Sequence, residues 1–240
     1  MTGPFIFYHK IDTAPRDARI RGGYTPPKRF AKQMAFLKKK GTVFYTVSEM
    51  IEHYIEHGSF PQRGLAITFD DGWKDNYENA FPILREFGIK ATIFLISSCL
   101  GTVSVKAQSE GEGAREHLSL ENVLEMSEQG IEFGSHTLNH KLLDRIPVNE
   151  VKIEVEESKR QIEEMLKKPC KVFAYPGGHY NESARRVIEQ AGYIAAFTTT
   201  YGPTVHFDVY AMNRTEILRR DRFLFQFARK VKTVVYRDDA

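Results

Sequence analysis

One short stretch, Leu-Ala-Ile-Thr-Phe-Asp-Asp-Gly at residues 65–72, constrains the fold more than any other part of the chain. Its apolar first half leads directly into two carboxylates and a glycine, a pattern typical of a buried strand that ends in a loop. Neighbouring residues of an extended chain point to opposite sides, so we expect Asp70 and Asp71 to have different partners. Taken alone, the stretch is most simply an ordinary turn, in which Asp and Gly are common.

Further apolar runs of strand length alternate with segments of helical periodicity along the whole chain. The predicted strands are 5–8, 43–45, 65–69, 91–96, 131–133, 171–175, 194–198 and 210–214. Such alternation is typical of an α/β protein with a parallel sheet, and this number of strands in 240 residues suits a small or imperfect barrel. Since no repeat or linker divides the sequence, residues 1–240 are predicted to form one domain, with a mobile loop predicted at 97–117.

The composition excludes some classes of partner. The chain has 34 Lys and Arg against 31 Asp and Glu, and no dense basic block, so nucleic-acid binding is not expected. It has no apolar run long enough to span a bilayer, and no basic and apolar leader at its beginning. A cytoplasmic location is therefore expected, although an exported protein whose leader had been removed would look the same.

Polar side chains follow several predicted strands at the point where each strand ends. They are His9, Asp70, Asp71, His136, His140, Tyr175 and Arg214. The carboxyl ends of the strands form the face on which a β/α barrel builds its active site. We therefore expect these side chains to lie near one another.

Asp71, His136 and His140 together offer one carboxylate and two imidazoles to a metal ion. Histidines four residues apart can reach one ion if the chain turns helically after Ser135. Three protein ligands leave a position for water, which is typical of a catalytic rather than a structural site. The set suits Zn²⁺ without excluding Fe²⁺, Co²⁺ or Mn²⁺. Either histidine alone is explained equally well as a polar group at a strand end.

Three motifs that contain these residues resemble, in the same order, those of the polysaccharide deacetylases (the NodB-homology domain, carbohydrate esterase family 4). They are Thr-Phe-Asp-Asp-Gly at 68–72, Ser-His-Thr-Leu-Asn-His at 135–140 and Phe-Ala-Tyr-Pro-Gly-Gly at 173–178. The resemblance extends from Tyr8 to Arg214 and is nearest to the branch that deacetylates poly-N-acetylglucosamine. It implies a distorted (β/α)₇-type barrel that hydrolyses the N-acetyl group of an amino sugar and releases acetate.

The resemblance also implies a role for each motif. Asp70 would be the general base, and the backbone N–H of Tyr175 would bind the oxyanion. The metal would be held by Asp71, His136 and His140. Trp73, in the loop after the first motif, is predicted to offer an apolar face to a sugar ring, although an aromatic residue at such a position is as often part of the core.

At two places the sequence departs from the family pattern, so the residue that orients the base and the general acid must lie elsewhere in the chain. Many members have Arg where Ala174 stands, so Arg214 is the candidate to orient the base, with an ordinary surface salt bridge as the alternative. The C-terminal Leu-X-His motif that provides the general acid is absent. His9 is predicted to be the acid, because the resembling enzymes use a histidine in this Tyr-His position. His179, on a glycine-rich turn, is predicted to contact substrate.

Two other functions remain open on the sequence alone. The same barrel, with related motifs, hosts hydrolases of non-peptide cyclic amides and imides, and a third possibility is a non-catalytic carbohydrate-binding module. The complete ligand set and the retained Asp70 favour the deacetylase. The predicted partner is accordingly a glycan that contains N-acetylglucosamine.

The end of the chain is predicted to form a basic amphipathic helix at 223–231. Phe223, Leu224, Phe227 and Val231 recur among arginines and lysines. Such a helix can lie on an anionic membrane surface, which suggests peripheral membrane contact. The alternative is a final helix packed on the barrel with its basic face in water.

Overall fold

Nine short strands and eight α-helices alternate in the computed structural model, which describes residues 3–16, 18–109, 111–199 and 208–235. The strands are β1 (Phe5–Tyr8), β2 (Val43–Tyr45), β3 (Gly64–Phe69), β4 (Thr92–Leu95), β5 (Glu132–Ser135), β6 (Val172–Ala174), β7 (Ala195–Thr198), β8 (Met212–Asn213) and β9 (Thr215–Glu216). The helices are α1 (Pro27–Lys39), α2 (Val47–His57), α3 (Phe81–Glu86), α4 (Val105–Ser109), α5 (Leu120–Glu128), α6 (Val148–Leu166), α7 (Glu182–Gln190) and α8 (Leu224–Val235).

All pairs of neighbouring strands are parallel, and the sheet nearly closes into a barrel. The order is β8-β7-β6-β5-β4-β3-β1-β9, and β2 pairs with the first half of β3. The two ends of this order are consecutive in sequence, separated only by Arg214. One short segment, 212–216, therefore pairs with β7 by its first half and with β1 by its second half. The predicted (β/α)₇-type barrel is confirmed, and the predicted strand at 210–214 is corrected to these two short strands.

Strand β3 lies at the centre of the barrel wall and is buried along its whole length. It pairs with β1 on one edge and with β2 and then β4 on the other. A parallel strand that is covered on both faces is expected to be almost entirely apolar. Before the two aspartates this strand has one polar side chain, Thr68, whose hydroxyl donates to the carbonyl of Ile6 at 3.1 Å. The carboxylates therefore come at the first position where the chain leaves the barrel wall.

The predicted helix at 75–87 has an irregular beginning. Its first part is a π-helical turn at Asn76–Ala80, and α3 continues directly from it with Pro82 near its beginning. The turn brings the Asn76 side chain to the backbone carbonyl of His9 at 3.0 Å. The irregular turn thereby ties the end of β3 to the end of β1.

The predicted loop at 97–117 is folded, although its mobility stays a prediction. It contains helix α4, and two ion pairs anchor it to the segment after β1. Glu112 accepts from Lys10 at 2.7 Å, and Arg115 donates to Asp12 at 2.6 Å. The segment therefore forms one wall of the space above the barrel.

The C-terminal helix is amphipathic, but its apolar residues divide into two groups. Phe227 and Val231 are fully buried against the main core, whereas Phe223, Leu224 and Phe225 are exposed. The buried residues pack on the barrel, as in the second arrangement considered for this helix in the sequence analysis. The exposed group lies at the beginning of α8. Among the described residues, no helix combines the length and the apolar character needed to cross a membrane.

Candidate active site

A cleft of about 920 Å³ opens at the carboxyl ends of the strands. Many of its walls come from the segments that follow β1, β3, β4 and β5, including the wall formed by residues 97–117. Six of the predicted site residues line it: His9, Asp70, Asp71, Trp73, His136 and His140. The folding of the barrel therefore brings together residues that are up to 131 positions apart in the sequence.

Asp71, His136 and His140 converge at the bottom of this cleft. The Nε2 atoms of His136 and His140 lie 3.5 and 3.3 Å from Oδ1 of Asp71. One ligand atom from each of the three side chains lies within 4.8 Å of the others, which is close enough for all three to hold one ion. The three predicted ligands therefore form a single cluster.

The hydrogen bonds of His136 indicate that this cluster suits a cation. Its Nδ1 lies 2.7 Å from the carbonyl oxygen of Ala174, and because a carbonyl only accepts, Nδ1 carries the proton. Burial lowers the pKa of His136 to about 4, so the ring is neutral at neutral pH. Its Nε2 then presents a lone pair to an anionic oxygen. A divalent ion between them would replace this repulsion with two favourable contacts, and the bond to Ala174 orients the ring as in other histidine–metal sites.

The loop between the two histidines is not helical, so the expected helical turn after Ser135 is wrong. Thr137 and His140 both adopt left-handed backbone conformations, with φ of 69° and 59°. The Thr137 hydroxyl accepts from the backbone N–H of His140 at 2.9 Å, which closes the turn. The two imidazoles reach the same carboxylate because the chain folds back through left-handed residues.

Asp71 is oriented by an aromatic pair. Its own φ is 74°, and its Oδ2 accepts from the indole N–H of Trp73 at 2.9 Å, which leaves Oδ1 facing the histidines. The ring of His117 stacks on Trp73 with centroids 4.4 Å apart and donates from Nδ1 to the Asp71 carbonyl at 3.0 Å. Burial lowers the pKa of His117. Sequence reasoning missed His117, because only the folding of the 97–117 segment brings it back to Trp73.

Asp70 forms a buried ion pair with Arg214. The two terminal nitrogens of Arg214 each donate to one oxygen of Asp70 at 2.7 Å, and Arg214 is 0% exposed. Its guanidinium also donates to Thr68 and lies 4.5 Å from the ring of Phe7. Burial alone raises the pKa of Asp70, but the charge and hydrogen bonds of Arg214, together with the nearby His136 and His9, more than offset this, and the pKa is lowered. The alternative of an ordinary surface salt bridge is therefore wrong.

His9 stands at the end of β1 and lines the cleft. Its side chain is 28% exposed, and within the described part of the chain its buried Nδ1 has no hydrogen-bond partner. The carboxylate of Glu216 lies 4.0 Å from this nitrogen. His9 is thus held near the two aspartates without being committed to a strong protein contact.

The backbone N–H of Tyr175, predicted to bind an oxyanion, is already engaged in the sheet. Its backbone N–H donates to the carbonyl of Phe197 at 2.9 Å, as part of the pairing of β6 with β7. Its side chain is fully buried, and the hydroxyl donates to the carbonyl of Tyr210 at 2.8 Å. The residue of this turn that lines the cleft is Gly177.

His179 lies outside the set of residues that line the cleft. Its ring is 45% exposed, and its Nδ1 is 3.3 Å from the carboxylate of Asp144. A side chain added at Gly177 would lie 3.0 Å from this ring, so His179 lies against the turn that borders the cleft. The structure therefore does not bring His179 together with the other predicted residues.

The fold and the site together define a parallel β/α barrel that carries a candidate metal cluster and an ion-paired aspartate at the carboxyl ends of its strands. The sequence model of the polysaccharide deacetylase family matches residues 57–196. The chain belongs to this family, whose members are hydrolases that act on the amide bonds of N-acetylated polysaccharides.

Individual relatives agree with this assignment. YxkH of Bacillus subtilis, whose name describes a polysaccharide deacetylase, is 30% identical over 215 residues, which are 89% of this chain and 71% of that protein. A poly-β-1,6-N-acetyl-D-glucosamine N-deacetylase of Staphylococcus aureus is 31% identical over 175 residues, 68% of this chain and 57% of that enzyme.

Solved structures have the same fold. The Streptococcus pyogenes deacetylase PplD, in complex with acetate, matches with a TM-score of 0.82 and 25% identity over 96% of this chain and 98% of that chain. IcaB of Ammonifex degensii matches with a TM-score of 0.80 at 21% identity, over 95% and 96% of the two chains, which is a likeness of fold.

Proposed function

We propose that this protein is a metal-dependent deacetylase that hydrolyses N-acetyl groups of N-acetylglucosamine units in a poly- or oligosaccharide and releases acetate. The observation that carries the proposal is the position of the ion-paired Asp70 directly beside the cluster of Asp71, His136 and His140 in one cleft. The Staphylococcus aureus relative, which acts on poly-β-1,6-N-acetyl-D-glucosamine, supports the class of sugar.

Asp71, His136 and His140 are the proposed metal ligands, and Zn²⁺ is the ion that this donor set suits best. Fe²⁺, Co²⁺ and Mn²⁺ are the alternatives for the same set. Bound there, the ion would supply Lewis acidity, which activates water and polarises an amide carbonyl. The contacts from Ala174 and Trp73 orient two of these donors, His136 and Asp71.

Asp70 is the proposed general base. The guanidinium of Arg214 keeps its carboxylate ionised and fixes the plane of both oxygens, since the fork of an arginine matches a carboxylate in two parallel bonds. An oriented carboxylate beside the cluster can take the proton from the attacking water. Arg214 is thus a positioning residue for the base.

His9 is the proposed general acid. The departing amine nitrogen must be protonated, and an imidazole with an ordinary pKa of ~6.5 can donate near neutral pH. His9 lines the cleft, and its ring is free to meet a leaving group because its contact with Glu216 is long. Any amide contact to the oxyanion from the turn after β6 would come from Gly177, since the N–H of Tyr175 is already used.

The proposal is tested by acetate release from β-1,6- and β-1,4-linked N-acetylglucosamine oligomers, each assayed with and without a chelator. We expect release that the chelator abolishes and that added Zn²⁺ restores. A cyclic imide assayed in parallel tests the rival hydrolase. Cleavage of the imide with no acetate release would replace our proposal, and binding of the oligomers without any turnover would favour a carbohydrate-binding module.

We also propose that the beginning of α8 contacts an anionic membrane surface. Phe223 and Phe225 are 51% and 69% exposed, and their rings stack with centroids 5.6 Å apart. Three exposed arginines precede these rings in the sequence, namely Arg219, Arg220 and Arg222, and the guanidinium of Arg222 lies 5.3 Å from the ring of Phe223. Exposed aromatic and basic side chains side by side match the apolar and anionic layers of a lipid interface. This surface is separate from the packed face of α8.

A further inference from the structure

Glu154 is a buried carboxylate whose contacts belong to the metal-binding loop rather than to its own helix. It lies in the middle of α6 and is only 2% exposed. Its Oε2 accepts from the backbone N–H of Asn139 at 2.8 Å, and its Oε1 accepts from the side-chain amide of Asn139 at 2.9 Å. Both oxygens therefore hold the residue that directly precedes His140.

The same loop is held from its other side by the segment after β4. The backbone N–H of Ser98 donates to the carbonyl of Leu138 at 3.1 Å, and the Ser98 hydroxyl donates to Oδ1 of Asn139 at 3.0 Å. The backbone carbonyl of Glu154 accepts from the N–H of Leu138 at 3.0 Å. The Asn139 side chain thus has a donor on one side and an acceptor on the other, which fixes the orientation of its amide.

The hydrogen bonds of Glu154 and Ser98 to Asn139, which we call the clamp, act on a loop with an unfavourable backbone conformation. Thr137 and His140 are left-handed, and a non-glycine residue in such a conformation costs ~1–3 kcal/mol unless its surroundings hold it there. The loop also carries both imidazole ligands. Outer partners of metal ligands typically change metal affinity ~10–100-fold when they are lost.

We propose that Glu154 is a positioning residue that sets the affinity of the metal site by holding Asn139, and through it His140, in the binding conformation. This inference rests on the proposed metal site. The nearest cation, the Nζ of Lys141, is 4.0 Å from Oε1 and is itself paired with Glu150 at 2.9 Å. The contacts of Glu154 with Asn139 are therefore shorter than its contact with this lysine.

A reciprocal exchange of the two side chains tests the proposal. In Asn139→Asp, two carboxylates face each other and the clamp opens. In the double variant Asn139→Asp with Glu154→Gln, the glutamine amide can donate to the new aspartate, its oxygen can still accept from the backbone N–H, and the net charge equals that of the native protein. Glu150→Gln, on the same helix but paired only with exposed Lys141, is the matched control.

The probe is Co²⁺, titrated into metal-free protein and followed by its visible absorption, with Zn²⁺ competition for the affinity. We expect Asn139→Asp to weaken Co²⁺ binding ~10–100-fold, although its added negative charge by itself favours a cation. The double variant should recover to within ~3-fold of the native affinity, because it restores the outer contact. Glu150→Gln should match the native protein.

Thermal unfolding of the metal-free proteins separates positioning from general stability. A purely structural role would lower the melting temperature of Asn139→Asp while leaving the affinity of the folded fraction unchanged, and this result would overturn the inference. Failure of the double variant to recover affinity in a folded protein would do the same. If the native protein itself binds no Co²⁺ or Zn²⁺, the proposed metal site fails and the inference fails with it.

Discussion

Arg214 and Asp70 meet at the seam of the barrel, where both terminal nitrogens of the guanidinium lie 2.7 Å from the two carboxylate oxygens. Arg214 is the single residue between β8 and β9, so it stands where the two ends of the sheet come together. Closure of the barrel and orientation of the proposed base therefore depend on the same side chain.

Replacing Arg214 should damage stability and activity together. In Arg214→Ala the buried Asp70 is left without a partner, and removal of one member of a buried pair typically costs ~3–5 kcal/mol of unfolding free energy. Arg214→Lys keeps a charge but loses the fork, so it should retain more stability while kcat falls. Urea unfolding and acetate release measure the two effects. Arg186→Ala, which breaks an exposed pair with Glu182 on α7, should change neither by much.

Equal stability of Arg214→Ala and the native protein would contradict the buried pair as described. Full activity in Arg214→Lys would show that the orientation of Asp70 does not require the two parallel bonds, and the assignment of Arg214 as a positioning residue would then be withdrawn.

Much of the fold was predictable because local pattern and burial agree along the chain. Strand β3, with its mostly apolar run, and the three candidate ligands that follow strand ends were predicted from the sequence, and the structure brings those three side chains together. The two strands in segment 212–216 were harder to predict, because a single residue separates them and they pair with different neighbours. Met212 pairs with β7 and Thr215 pairs with β1. Periodicity contains no information on such pairing.

The parts of the site that sequence reasoning missed depend on contacts between distant segments. His117 reaches Trp73 only because the 97–117 segment folds back over the barrel. The N–H of Tyr175 is placed in a turn by the motif, but in the structure it donates to Phe197 as β6 pairs with β7. The orientation of a backbone amide follows from sheet register, which a motif alone does not fix.

His9→Ala should lower kcat on acetamides far more than on an activated acetate ester. Positioned proton donation typically contributes ~10²–10⁴-fold, and an ester with a good leaving group does not need it. Metal content and the unfolding transition should stay close to those of the native protein. The comparison of kcat on the two substrates by one preparation of enzyme measures the effect.

His179→Ala is the control for this prediction, because His179 is exposed beside the cleft and pairs with Asp144. It should affect both substrates only slightly. Equal losses on the amide and the ester in His9→Ala, or a larger loss in His179→Ala, would remove His9 from the role of acid.

The raised pKa of the buried Asp75 should make the stability of the protein depend on pH. Burial, only partly offset by the N–H of Ile11 and by Arg115, raises its pKa from 3.8 to about 7. Between these two values the folded state holds a proton that the unfolded state has lost, so stability falls as the pH rises through this range. The loss from this group is at most ~1.4 kcal/mol per pH unit and ends above about pH 7.

Asp75→Asn isolates this effect, because an amide does not titrate and keeps an oxygen to accept from Ile11. Urea unfolding of both proteins between pH 5 and pH 8 gives the difference at each pH. We expect the native protein to lose stability relative to the variant as the pH rises. A difference that is constant with pH, or that grows in the opposite direction, would show that Asp75 is ionised throughout.

The proposed membrane contact predicts binding to anionic vesicles that depends on two kinds of side chain. Phe223→Ser with Phe225→Ser should reduce co-sedimentation with vesicles of phosphatidylglycerol, and so should Arg220→Glu with Arg222→Glu, because both apolar burial and charge contribute. Arg229→Glu, further along α8, is a control for net charge. Co-sedimentation that is absent in the native protein, or unchanged in both double variants, would end the proposal.

The two adjacent aspartates provide the most direct test of the proposed site. Metal content, by elemental analysis of purified protein, and acetate release are measured side by side for Asp70→Asn and Asp71→Asn. Asp71 contacts both imidazoles, so its variant should lose metal and activity together, whereas Asp70 is paired with Arg214, so its variant should keep most of the metal and lose activity. The division of roles would be contradicted if the Asp70→Asn protein contained as little metal as the Asp71→Asn protein. It would also be contradicted if Asp70→Asn released acetate at the native rate.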